Sequence, residues 1–108
     1  MFRQFRRTTM LVAAMILAAG AGQAMAADGA TLYKQKTCIA CHGPDGKKPL
    51  LPEYPRLAGQ NAAYIVRQMQ DIKSGARANG NSAAMKGVMH LVNDEEMQAI
   101  ADWLSGLN

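Results

Sequence analysis

Cys38-Ile39-Ala40-Cys41-His42 is the stretch of this 108-residue chain that decides its architecture. Two cysteines separated by two residues and followed directly by a histidine form the C-x-x-C-H pattern by which a c-type haem is attached. Each thiol can add to one vinyl group of the same porphyrin, and the adjacent imidazole then lies under the iron. The pattern therefore predicts one covalently bound haem c, with thioether bonds to Cys38 and Cys41 and with His42 as the proximal iron ligand.

The same cysteines fit two other kinds of site less well. A C-x-x-C pair can be a redox-active dithiol, but that motif accompanies a βαβ pattern, and this sequence has no period-2 strand of useful length. A zinc site would need paired ligand spacing, which Cys38, Cys41, His42 and His90 do not have. Haem attachment is the interpretation that uses the whole motif.

Upstream of the motif, the first 26 residues have the pattern of a secretory signal. Arg3, Arg6 and Arg7 are followed by an apolar and small-residue stretch at 10–22 and by Ala-Met-Ala at 24–26, which fits a cleavage site. The apolar stretch is short against the roughly 20 residues of a spanning helix. We expect a cleaved signal peptide at 1–26, a domain at 27–108 exported to the periplasm, and no stable membrane insertion after cleavage.

The net charge and the size of residues 27–108 limit the functions that this domain can have. Cleavage lowers the net charge from +4 to +1, which leaves no basic cluster of the size that nucleic-acid binding requires. A domain of this size has a marginal protein-only core, which a cofactor commonly completes. A buried macrocycle would serve as that missing core.

The rest of the sequence predicts an all-α domain. One short helix is expected to begin at the N-cap Asp28 and to run into the cysteine motif, and prolines exclude a regular helix from 47–59. A second helix is predicted from Gln60 or Asn61 to about Ser74, and a third from Asn93 to Gly106. Their apolar positions recur at helical spacing: Tyr64, Ile65, Met69 and Ile72 in the second, and Met97, Ile100, Ala101 and Leu104 in the third.

A haem iron bound by His42 has a second axial position, and its occupant decides between electron transfer and ligand chemistry. The residues able to fill it are Met69, Met85, Met89, Met97 and His90. Core packing accounts for Met69 and Met97, because both lie on apolar helix faces. Met85, Met89 and His90 follow the Gly- and Asn-rich loop at 75–82, and we expect a flexible approach there to bring one of them over the distal face of the haem.

In these motifs the chain resembles the class I bacterial cytochromes c, and especially one half of the dihaem cytochromes c. The resemblance covers residues 28–108. It rests on the run 38–43, on Pro55 to Gln60, on Tyr64, on the run 68–75, on Met85-Lys86-Gly87 and on the closing segment 94–107. It implies a small class I cytochrome c fold, with three to four helices wrapped around one covalently bound haem.

The resemblance also implies residue roles. The axial methionine of such proteins precedes the final helix, so the Met-x-Gly pattern favours Met85, with Met89 as the fallback. The Pro55 carbonyl would accept the Nδ1 proton of His42, which holds the imidazole in place, and Leu57 would pack on the porphyrin; otherwise both are ordinary turn and core residues. Spacing does not select among the candidate propionate partners, Arg56, Arg67, Arg77, Asn79 and Asn81.

The function implied is that of a monomeric electron carrier rather than an enzyme. Its iron would exchange one electron with redox proteins that act as donor and acceptor, such as a respiratory complex, an oxidase or a reductase. The alternative is a haem enzyme or gas sensor with a labile sixth ligand. Binding of carbon monoxide to the reduced protein distinguishes the two, because it requires a vacant or easily vacated iron position.

Overall fold

The computed structural model describes residues 28–108, which form five helices and contain no strand. These are α1 (Gly29–Gln35), α2 (Cys38–His42), α3 (Ala62–Ser74), α4 (Ser82–Met89) and α5 (Asp94–Ser105). The all-α prediction is confirmed. The proposed signal peptide lies outside the described residues. Within residues 28–108, no helix is long and apolar enough to cross a membrane.

The structure has five helices, whereas the sequence predicted three to four, and the difference arises at two places. The helix expected to run into the cysteine motif is divided into α1 and α2, because Thr37 adopts a left-handed conformation with φ 66° that a continuing α-helix does not allow. The segment expected to approach the haem flexibly is the regular helix α4. Its apolar side packs on α3, and Met89 is fully buried there, which offsets the low helix propensity of Gly87.

The predicted helix ends are confirmed by their caps. The Asp28 side chain accepts a 2.8 Å hydrogen bond from the first turn of α1. The Asn61 side chain caps α3, and Gly75 ends that helix with φ 88°, a conformation that glycine adopts without steric cost. At α5, Asn93 and Glu96 form a reciprocal capping box with distances of 2.8 and 3.0 Å. The three N-caps satisfy backbone donors that would otherwise lack partners.

The core lies where α1, α3 and α5 meet. It is formed by Leu32, Tyr33, Ile65, Met69, Ile72, Met89, Val92, Met97, Ile100, Ala101 and Leu104. The predicted apolar faces of α3 and α5 are therefore confirmed except at Tyr64, which is 53% exposed. Tyr64 lies in the first turn of α3 and borders the cavity described below.

The crossing of α1 and α5 depends on the absence of a side chain at Gly29. A Cβ at this position would overlap the Ala99 carbonyl oxygen and lie 2.7 Å from the Trp103 Cβ. Beside the crossing, the Tyr33 and Trp103 rings pack with centroids 5.1 Å apart. The close approach of the two backbones thus brings the aromatic pair into contact, and Tyr33 in turn donates a 2.6 Å hydrogen bond to the Gly43 carbonyl, directly after α2.

We predict that Gly29→Ala destabilises the domain by about 1–3 kcal/mol, because the added methyl group overpacks a backbone contact. Thermal unfolding should occur at least about 5 °C lower, given roughly 4–8 °C per kcal/mol for a domain of this size. Gly87→Ala is the matched control, since a Cβ there meets nothing within 4 Å, and it should leave Tm unchanged or raised. Equal melting temperatures for the two variants would contradict the assigned crossing.

Candidate functional site

A cavity of about 450 Å³ opens between the cysteine motif and the helices α3 and α4. Cofactor sites commonly have volumes of about 300–1,000 Å³ and mainly apolar linings. One wall is α2, which packs on α1, and another is α4, which packs on α3. The side chains that line it are mostly apolar or aromatic and include Cys38, Cys41, His42, Pro55, Leu57, Ile65, Met69, Ile72, Met85, Val88 and Met89.

The local helix α2 presents the motif to this cavity. Cys38 and Cys41 are three residues apart and Cys38 and His42 are four apart, so the three side chains share one helical face. The helix ends at Gly43, whose φ is 82° and where a Cβ would overlap the Lys48 carbonyl oxygen. The Leu50 N–H then donates to the Cys41 carbonyl at 2.9 Å, which folds the proline-containing segment back over the motif.

The His42 side chain is buried at 7% exposure and lines the cavity. Burial lowers the pKa of its imidazole, because a charged ring is poorly solvated there, and the nearby Pro55 carbonyl opposes this effect only in part. Nδ1 is buried without a well-formed hydrogen bond among the described residues, and the Pro55 carbonyl, the expected acceptor, lies near it. A lowered pKa favours the neutral imidazole, which is the form that offers a lone pair to a metal.

The two cysteines have different environments. Cys38 is half-buried and Cys41 is exposed. Burial raises the pKa of the Cys38 thiol to about 11, whereas redox-active dithiols have lowered thiol pKa values. This direction disfavours the thiol-disulfide interpretation. Between residues 28 and 108, no three His, Cys, Asp or Glu side chains cluster as a metal site.

The candidate axial ligands separate into three groups. Met85 is half-buried and lines the cavity, next to the hydrophobic core. Met89 and Met69 also line it but are themselves core residues, with Met89 fully buried. His90 is exposed and caps the end of α4, and neither it nor Met97 is among the residues that line the cavity.

Sequence comparison shows to which protein family this chain belongs. The cytochrome c family model matches residues 26–108. The chain belongs to the cytochrome c family. It is therefore a haem protein of electron transfer with a covalently attached c-type haem, and Cys38 and Cys41 fit the attachment motif.

Individual relatives of this cytochrome agree with the fold. Cytochrome c-553 of Nitratidesulfovibrio vulgaris (strain DSM 19637 / Miyazaki F) is 38% identical over 91 residues, which cover 84% of this chain and 87% of that protein. A thiosulfate dehydrogenase electron acceptor of Stutzerimonas stutzeri (strain A1501) is 38% identical over 103 residues, 89% of this chain and 45% of the relative. The crystal structure of reduced recombinant cytochrome c4 from Pseudomonas stutzeri superposes with a TM-score of 0.65 at 31% identity.

That superposition covers 74% of this cytochrome and 46% of cytochrome c4. The chain thus spans nearly the full length of cytochrome c-553 but about half the length of the other two proteins. The predicted similarity to one half of a dihaem cytochrome is confirmed, as is the class I cytochrome c fold.

The shape of the cavity in this cytochrome and the chemistry of its lining both fit a haem. Two thiols and a buried imidazole border a mainly apolar space. Pro55 and Leu57 line the same space, and the Leu57 N–H is fixed by a 2.8 Å hydrogen bond to the Gly46 carbonyl.

The sequence analysis assigned no site role to several lining residues, among them Tyr54, Gln68 and Glu53. Gln68 had a usable signal, because it lies three residues after Ile65 and four before Ile72 and so shares the buried face of α3. Tyr54 and Glu53 lie in the proline-containing segment, where no periodicity indicates which side chains turn inward. Of the candidate propionate partners, Arg77, Asn79 and Asn81 line the cavity, and Arg56 and Arg67 are absent from its lining.

Proposed function

We propose that this cytochrome is a periplasmic carrier of single electrons whose haem iron is bound by His42 and Met85. The observation that carries the proposal is the cavity itself, because α2 and α4 each contribute a potential iron ligand to one mainly apolar space. When bound, the haem supplies a one-electron change between ferrous and ferric iron. The surrounding side chains would attach the haem, bind its iron and exclude water from it.

Cys38 and Cys41 would hold the porphyrin through thioether bonds, and His42 would bind the iron from α2. Nδ1 is buried, and this supports Nε2 as the coordinating nitrogen. The Pro55 carbonyl is the neighbour best placed to accept the Nδ1 proton, which would fix the tautomer and ring orientation. Leu57 would exclude water from the porphyrin.

Met85 is proposed as the distal ligand and Met89 as the fallback. Complete burial of Met89 in the core supports a packing role, whereas Met85 borders the core and reaches the cavity. A thioether is a soft donor that favours ferrous iron, so His/Met ligation gives a higher reduction potential than two histidines. With Met85 as its ligand the iron would have no vacancy for oxygen or peroxide, as expected of an electron carrier rather than a haem enzyme or gas sensor.

The periplasmic location rests on the proposed signal peptide at 1–26. Its partners would be redox proteins that donate and accept electrons. The Stutzerimonas relative, by its name, accepts electrons from thiosulfate dehydrogenase, and a dehydrogenase exported to the same compartment is accordingly one class of donor to test. The mature form is proposed to act as a monomer, without nucleic acid and without stable membrane insertion.

A potentiometric titration of the purified holoprotein, with carbon monoxide added to the reduced form, tests the proposal. We expect one reversible one-electron transition and little binding of carbon monoxide at neutral pH, because Met85 occupies the position that the gas would need. Rapid, stoichiometric binding of carbon monoxide would instead favour the haem enzyme or gas sensor.

A further inference from the structure

The loop between α3 and α4 brings one guanidinium to the haem cavity. Arg77 is the single Lys or Arg among the described residues that line it. Its backbone N–H donates to the Asp71 carbonyl at 2.9 Å, and its side-chain Nη1 donates to Gln68 Oε1 at 3.0 Å. Both partners belong to α3, so the loop and the guanidinium are fixed to the same helix.

A haem brings two propionate carboxylates into this space. An ionised carboxylate that leaves water needs a charged or hydrogen-bonding partner, since its desolvation is otherwise costly. A guanidinium suits that task because its planar fork can donate two parallel hydrogen bonds to one carboxylate. Gln68 uses one of the five N–H donors of Arg77, which leaves the others for such a pair.

From this geometry we infer that Arg77 pairs with a haem propionate and that Gln68 is a positioning residue for its guanidinium. The inference rests on the proposed haem attachment and adds a residue to it. Arg67 is excluded as an equivalent, because its side chain is 75% exposed and pairs with Asp71 at 3.5 Å. Arg56 is exposed and does not line the cavity.

The pair has two expected consequences for the haem. A cation beside the porphyrin disfavours the extra positive charge of ferric iron, so Arg77 raises the reduction potential. It also holds the pKa of the paired propionate low, so that the carboxylate stays ionised at neutral pH. Without Arg77 that pKa rises, and because deprotonation adds a negative charge that stabilises ferric iron, the potential then falls as the pH rises through it.

The test compares holoproteins carrying Arg77→Gln and Arg67→Gln, each titrated potentiometrically from pH 5 to pH 8. Both variants lose one positive charge, but Arg67 does not line the cavity. We expect Arg77→Gln to have a lower potential than the control and a steeper decrease with pH, and Arg77→Lys to restore part of the potential. The other acidic or imidazole groups that line the cavity, Glu53 and His42, are the same in both proteins, so the difference between them reports the pair.

A potential and pH dependence equal to those of Arg67→Gln, in a variant with full haem content, would overturn the inference. If Arg77→Gln takes up no haem, Gln68→Leu replaces it, and a smaller shift in the same direction is expected; no shift there overturns the inference as well. Wild-type protein without covalent haem would instead overturn the proposed function, so the two failures are distinguishable.

Discussion

Replacement of both Cys38 and Cys41 by Ala is expected to give a colourless chain that does not fold stably. Without thioether bonds the haem can leave, and the mainly apolar lining of the cavity of about 450 Å³ is then exposed to water. Exposed apolar surface costs about 25 cal/mol per Å². A small domain with a total stability of only about 5–15 kcal/mol tolerates little such exposure.

Circular dichroism and haem absorbance of the purified double variant measure this effect. We expect most of the helical signal to be lost and no haem to remain after extraction with acidified organic solvent. The single variants Cys38→Ala and Cys41→Ala are the controls, because each keeps one thioether and His42 and should retain haem and helical structure in part. A double variant that folds without haem and melts at the wild-type temperature would contradict a core completed by the macrocycle.

Met85→Ala is expected to have the second large effect, which concerns the iron rather than the fold. Loss of the thioether should abolish the weak sulfur-to-iron absorption band of the oxidised protein and open the site to carbon monoxide. The reduction potential should fall by more than about 100 mV, within the roughly 0.8 V range over which axial ligands set haem potentials. Visible spectroscopy and potentiometry of the same sample measure all three changes.

Met89→Leu is the matched control for Met85→Ala, since Met89 lies one helical turn further along α4 and lines the same cavity. This change conserves volume, so it should cost less than about 1.5 kcal/mol of stability and leave the absorption band and the potential in place. An unchanged band in Met85→Ala together with its loss in Met89→Leu would transfer the ligand role to Met89.

The parts of the fold that the sequence predicted are those with local causes. Asp28, Asn61 and Asn93 each cap a helix through a backbone donor two or three residues away, and the sequence predicted a helix start at or next to each of them. The division of α1 from α2 was missed, because nothing in the identity of Thr37 indicates the left-handed conformation that it adopts. Helix α4 was missed for a similar reason, since its short apolar face becomes recognisable only against α3.

The candidate site was predictable where one motif specifies it and not where several segments meet. Cys38, Cys41 and His42 share a helical face by spacing alone, so their common position followed from the sequence. The selection of Arg77 over Arg56 and Arg67 did not, because it depends on how the loop after Gly75 folds back onto Gln68. Met85 lies between these cases, as its spacing before α5 was readable but its access to the cavity was not.

Covalent haem content of the mature protein, purified from the periplasm, is the most direct test of the proposed site. A pyridine haemochrome assay after extraction with acidified organic solvent should find one haem per chain retained by the polypeptide, and the intact mass should equal residues 27–108 plus one haem. A colourless protein whose two cysteine sulfurs are free or joined to each other would contradict the assignment of Cys38, Cys41 and His42.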